Sequence, residues 1–156
     1  MDCGCYRTHI RKCKMVNSRN KGAAFERLIC KELNKYAKAK EMDVIAQRNL
    51  TQYQQKNEAD IYWCGFAIEC KHYQGDSHFP REQWWKQVCE AAGDEYVPLL
   101  LYKYNRKPIQ FITPAWIIIG QEFKNPDRAK RNQSIMLGTF EHFLNDLDVI
   151  LQYVYV

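Results

Sequence analysis

Four residues of this 156-residue chain combine type and spacing in a way that could do chemistry: Glu26, Asp60, Glu69 and Lys71. Three of them lie in Glu58-Ala59-Asp60-Ile61-Tyr62-Trp63-Cys64-Gly65-Phe66-Ala67-Ile68-Glu69-Cys70-Lys71, which reads as two short strands around a turn at Cys64-Gly65. Counted outward from that turn, Trp63 faces Phe66, Tyr62 faces Ala67, Ile61 faces Ile68 and Asp60 faces Glu69. Directly opposed residues have Cβ atoms about 4.5–5.5 Å apart. Two carboxylates so placed repel, and a shared proton or a cation must offset the cost. Lys71 follows Glu69 on the same face, about 6.6 Å along the strand, and Glu26 can reach the same point from an earlier helix. Such a set suits a hard cation: Mg²⁺ favours carboxylate oxygens and keeps several waters. A metal-bound water is a better nucleophile, and the metal stabilises charge developing on phosphorus. Lys71 could orient that water, assist its deprotonation or neutralise the oxyanion. The chemistry is metal-assisted phosphodiester hydrolysis. The Asp60, Glu69 and Lys71 pattern alone reads as readily as solvent-facing charges on a sheet, with Lys71 in a cross-strand pair.

The elements that would position these residues follow from periodicity. Residues 18–39 read as an amphipathic helix with Phe25, Leu28, Ile29, Leu33 and Tyr36 as its buried stripe. Glu26 lies on that side, where a carboxylate needs a partner. Residues 43–48 read as a short strand around Val44-Ile45-Ala46. In the hairpin, Ile61, Trp63, Phe66, Ile68 and Cys70 share one face; Asp60, Tyr62, Ala67, Glu69 and Lys71 share the other. Residues 80–92 form a second helix, with Pro80 in its first turn and Gly93 at its end. Its stripe is Trp84, Trp85, Val88, Cys89 and Ala92, so the tryptophans read as core rather than as stacking platforms. The apolar run Val97–Tyr102 is a strand buried on both faces, and Ile109–Ile112 is another strand. Residues 114–120 fit a short helix or strand, 124–132 a polar link, 139–147 a helix and 149–156 a β-prone end. The order predicts an α/β domain whose mixed central sheet is flanked by helices.

Composition sets the bounds. Apolar residues make up 46% and charged residues 26%, enough for a buried core and against wholesale disorder. No apolar run is long enough for a transmembrane helix, and the first residues lack an apolar signal region, so no membrane association is expected. Seven cysteines, an odd number, point to free thiols in a reducing, cytoplasmic compartment. Cys3, Cys5, His9 and Cys13 could ligate zinc, but their spacing fits no common finger and incidental thiols are the better reading. Residues 1–17 carry Arg7, Arg11, Lys12 and Lys14 and read as a basic, flexible arm; a phosphate-contacting arm is the functional alternative. Residues 18–120 are then the core, and 121–156 a C-terminal extension packing on it or on a dimer interface. The net charge of +5 permits a nucleic-acid partner without demanding one. Arg19, Lys21, Lys103, Arg106 and Lys107, with the loop His72–Phe79, are candidate phosphate contacts.

Taken in order, several motifs resemble the PD-(D/E)xK nuclease superfamily, in particular its archaeal and phage Holliday junction resolvase branch. They are Ser18-Arg19-Asn20-Lys21-Gly22 with Phe25-Glu26-Arg27, then Glu58-Ala59-Asp60, Glu69-Cys70-Lys71, and Trp84, Gln87 and Glu90-Ala91 ahead of Val97-Pro98-Leu99-Leu100. The resemblance covers about residues 18–103, with Ala59 standing where a proline often precedes the catalytic Asp. It implies a restriction-endonuclease-like core and a Mg²⁺-dependent DNA endonuclease, with Mn²⁺ able to substitute. The implied substrate is a Holliday or other branched junction, cut by a homodimer that places two sites on two strands. Residues 115–119 and the C-terminal strand are candidate interface pieces. Glu26, Asp60 and Glu69 would be metal ligands or support them, the backbone carbonyl of Cys70 another ligand, and Lys71 the catalytic lysine. Gln87 would be the auxiliary polar residue near the scissile phosphate, with Gln83 its rival. Restriction, nicking and repair nucleases share the pattern. A non-catalytic DNA-binding protein is the further alternative, and the intact acid, acid and lysine set speaks against it.

Overall fold

Cys64 (φ 47°) and Gly65 (φ 77°) both adopt positive φ, as a two-residue type I′ hairpin turn requires, and they join β1 (Ile61–Trp63) to β2 (Phe66–Tyr73). A Cβ on Gly65 would lie 2.4 Å from Val154 Cγ1, so this glycine answers both the turn and a close approach by the last helix. The register pairs Ile61 with Ile68, Tyr62 with Ala67 and Trp63 with Phe66, as outward counting predicts. In this computed structural model residues 18–53, 57–75, 77, 79–127 and 129–154 are described. The basic arm at 1–17, with Cys3, Cys5, His9 and Cys13, lies outside them.

Around the hairpin the chain runs α1 (Ser18–Ala39), β1, β2, α2 (Glu82–Ala92), β3 (Val97–Tyr104), β4 (Gln110–Pro114), α3 (Trp116–Ile119), β5 (Ile135–Thr139) and α4 (Phe140–Val154). Leu50–Tyr53 and Gln121–Phe123 form single 3₁₀ turns. The five strands lie in sequence order; β2 and β3 are parallel and the other pairs antiparallel. This is the expected mixed α/β sheet with helices on both faces, compatible with a restriction-endonuclease-like core. Phe25, Ile29 and Leu33 of α1 and Phe143 and Leu147 of α4 cover one face, against Phe66, Ile68, Leu99 and Leu101. Trp84 and Val88 of α2 cover the other, against Leu100, Tyr102 and Ile112. Both helical tryptophans pack rather than present a stacking surface: Trp84 is buried, and half-buried Trp85 donates its Nε1–H to the Asn132 carbonyl at 3.2 Å. The β3 interior tolerates Pro98 because Val97 N–H, bonded to Gly65 C=O at 2.9 Å, already faces β2. The next nitrogen therefore points away, where pairing with β4 begins only at Leu100.

Four local expectations are corrected. Leu28 is 39% exposed, and Cys30 and Ala37 complete the α1 stripe in its place. Residues 43–48 are not a strand. The Asn34 side chain bonds Ala46 N–H (2.7 Å) and Ala46 C=O (2.9 Å), taking the backbone groups a strand neighbour would use, and only an isolated bridge from Arg48 to Ile61 remains. Ile45, in the middle of that expected strand, is 77% exposed. The polar link ends in an unforeseen strand, β5, whose Gly138 leaves room for Phe111: a Cβ there would lie 2.7 Å from the ring. The β-prone C-terminus is helical through Val154, because Phe140, Phe143, Leu147 and Ile150 continue a helical stripe into the core while β-branched Val149 faces solvent. Residues 121–154 thus supply an edge strand and a core helix to the same sheet. No helix among the described residues is long and apolar enough to cross a membrane.

Gly65→Ala should destabilise the protein by about 1–3 kcal/mol, from the left-handed backbone and the Val154 contact together. Chemical denaturation with an unchanged m-value would register it.

Candidate active site

Asp60 precedes β1 and Glu69 lies within β2, so the hairpin carries both on the sheet face covered by α2. Each is more than nine-tenths buried. Asp60 Oδ2 accepts the Cys70 backbone N–H at 2.7 Å, a bond that ties the start of β1 to the middle of β2. Glu69 Oε1 accepts from Lys71 Nζ at 2.6 Å and from Gln87 Nε2 of α2 at 2.8 Å. Glu69 Oε2 is buried with no hydrogen-bond partner among the described residues. Burial, then the neighbouring Glu69 charge, pushes the Asp60 carboxyl up to about 7; the Cys70 N–H opposes this. Burial likewise raises Glu69, against the pull of Lys71. The carboxylates are short of positive charge.

Glu26 comes from α1, also buried, and its carboxylate is ion-paired with Arg48 Nε. Its charge nonetheless raises both Asp60 and Glu69, so it belongs to the same electrostatic centre. Among the described residues no three His, Cys, Asp or Glu side chains form a ready-made metal cage. Asp60 and Glu69 supply two carboxylates, and the oxygen without a partner is the kind of donor that a hydrated Mg²⁺ completes.

A family model described as "Phage putative PDDEXK endonuclease" matches residues 17–152. The chain belongs to this endonuclease family. No curated protein and no solved structure matches it. For a PDDEXK endonuclease the acid, acid and lysine pattern is what names the family; here Lys71 is hydrogen-bonded to Glu69, and Asp60 accepts from the Cys70 N–H that lies between them in the chain.

The remaining sequence candidates are placed as follows. Gln87 joins Glu69, whereas its rival Gln83 is exposed one turn earlier. Arg19 is exposed and Lys21 half-buried in the first turn of α1, on the helix that carries Glu26. Lys103 pairs in register with His72, whose ring lies 5.8 Å from Phe25 of α1, so Lys103 lies on the face opposite Lys71. Arg106 sits in the exposed turn after β3, with φ 62°, beyond the end of β2. Lys103 and Arg106 are thus not brought to the acidic cluster.

Two residues of the irregular segment before β1 escaped sequence reasoning. Arg48 neutralises Glu26. Asn49 donates from Nδ2 to Glu58 Oε2 (2.7 Å) and the Ala59 carbonyl (3.1 Å), and from its backbone to the Asp60 carbonyl (2.7 Å), fixing the approach to Asp60. The signal for Arg48 was the need of Glu26 for a partner; which cation supplied it was a tertiary matter.

The metal-free protein should respond to pH through Asp60. Its folded-state pKa lies near 7, above the ordinary value of 3.8, so the folded state binds more protons between those limits. Stability should therefore fall as pH rises through this window. In EDTA, Asp60→Asn should raise Tm relative to wild type at pH 8, with the gain fading towards pH 4; a pH-independent difference would contradict the raised Asp60 carboxyl.

Proposed function

We propose that the chain is a Mg²⁺-dependent DNA endonuclease acting on four-way or other branched junctions. The observation that carries the metal-dependent hydrolysis is the buried Glu69 Oε2 without a partner beside a second buried carboxylate, Asp60. Asp60 and Glu69, with the Cys70 carbonyl, would hold the ion, and Glu26 would support it through water. Bound there, the ion supplies activation of the attacking water and stabilisation of charge on phosphorus. Lys71, anchored on Glu69, presents an ammonium to a phosphate oxygen or to the water. Gln87 is side-chain exposed yet anchored to the same carboxylate, and its second amide hydrogen can meet the phosphate. Arg19 and Lys21 at the start of α1 are the proposed phosphate contacts nearest to Glu26; Arg106 and Lys103 would serve only DNA that extends past the end of β2 or around to the opposite face.

The preference for a junction rests on the ordered motifs over residues 18–103 that resemble resolvases. The same resemblance supports a homodimer. Ile118, Ile119 and Phe123 are exposed around α3 and offer it an apolar surface, whereas residues through Val154 belong to helix α4 rather than to a C-terminal strand. A reducing cytoplasm suits Cys30, Cys64, Cys70 and Cys89, all free thiols.

The test is cleavage of a synthetic four-way junction beside linear duplex, flap and single strand, with Mg²⁺ or EDTA. Paired, symmetric, Mg²⁺-dependent cuts confined to the junction are expected. Lys71→Ala and Asp60→Asn should each slow cutting by about a hundredfold or more while sparing DNA binding. Equal cutting of linear duplex would discard the junction and keep the nuclease; no cutting of any DNA would sink the enzymatic reading. Binding should also weaken steeply with added salt, and an affinity indifferent to salt would contradict phosphate recognition by the basic residues.

A further inference from the structure

We infer that Arg48 is a positioning residue that sets the charge of the acidic centre, holding its affinity for a divalent ion down so that a phosphodiester is needed to complete the site. The inference rests on the metal-dependent reading above and concerns a residue outside the acid, acid and lysine pattern.

Glu26, Asp60 and Glu69 are all buried and electrostatically linked. Among the described residues the cations paired with them are Lys71, on Glu69, and Arg48, on Glu26. With all five groups ionised, the formal charge of the cluster is one negative. A divalent ion would leave it one positive, which a single phosphodiester neutralises. Without Arg48 the cluster would be doubly negative, would attract the ion more strongly, and would have no surplus positive charge for the phosphate. In a partly buried site such a change in formal charge is worth a large factor in affinity.

Arg48 is built for this role. Its backbone bridges Ile61 at the start of β1, and its side chain is 20% exposed against 8% for Glu26. A guanidinium keeps its charge throughout the working pH range.

A purely structural partner of Glu26 predicts something different, and metal binding to the DNA-free protein separates the two. Mn²⁺ affinity is read by calorimetry at pH 8 on folded, full-length protein. Arg48→Gln should tighten Mn²⁺ binding about tenfold while raising KM for the DNA substrate. Glu26→Gln, which leaves Arg48 in place, should weaken it, and the Glu26→Gln/Arg48→Gln pair should recover the loss. The double variant buries two neutral amides, so it reads out the inference even where Arg48→Gln alone fails to fold. Arg48→Lys should stay near the wild-type affinity. Unchanged or weaker binding in Arg48→Gln, or no recovery in the double variant, overturns the inference and leaves the nuclease reading intact. A wild-type chain that binds no Mn²⁺ overturns both.

Discussion

Two carboxylates held side by side inside a sheet that is covered on both faces are the constraint around which this molecule is organised. Asp60 and Glu69 lose hydration and repel one another, and both carboxyls are raised. The protein offsets this only in part, with a backbone N–H on Asp60 and with Lys71 and Gln87 on one oxygen of Glu69. Each donor comes from an element whose position is otherwise set by packing. The Cys70 N–H is offered by β2, the central strand nearest β1; Gln87 rides on α2, pinned by Trp84 and Val88 against β3. The parallel β2–α2–β3 unit thus locks the donors to the acids, and the apolar run of β3 keeps that unit out of water on both sides.

The opposite layer contributes charge at a distance. Helix α1 is fastened by Phe25, Ile29 and Leu33, and its buried face also carries Glu26. The segment between α1 and β1 is irregular, yet it is tied down by side-chain amides at each end: Asn34 clamps Ala46, and Asn49 clamps Glu58 through Asp60. Between the clamps Arg48 is delivered to Glu26. An extended segment whose backbone groups are satisfied by amides rather than by a neighbouring strand can be aimed by its side-chain needs. A regular strand there would have alternated its residues to fixed faces. Strain, where present, is confined to turns such as Cys64-Gly65 and Arg106.

The sequence by itself determined the hairpin and its register from Ile61 and Ile68 to the turn, because a two-residue turn and a period of two leave no freedom once the turn is placed. It determined α1, α2 and β3 for the same reason: long, strongly periodic or continuously apolar segments have one good burial solution. Only the tertiary structure decided that 43–48 is clamped rather than paired, that 135–139 is a strand and that 149–154 is helix, since short segments take the conformation that their neighbours' surfaces offer. It also decided which cation meets Glu26 and that Lys103 lies on the far face of the sheet. Ion pairing between residues distant in the chain leaves no local pattern. It depends on where two backbones converge, and that convergence is set by the packing of the core.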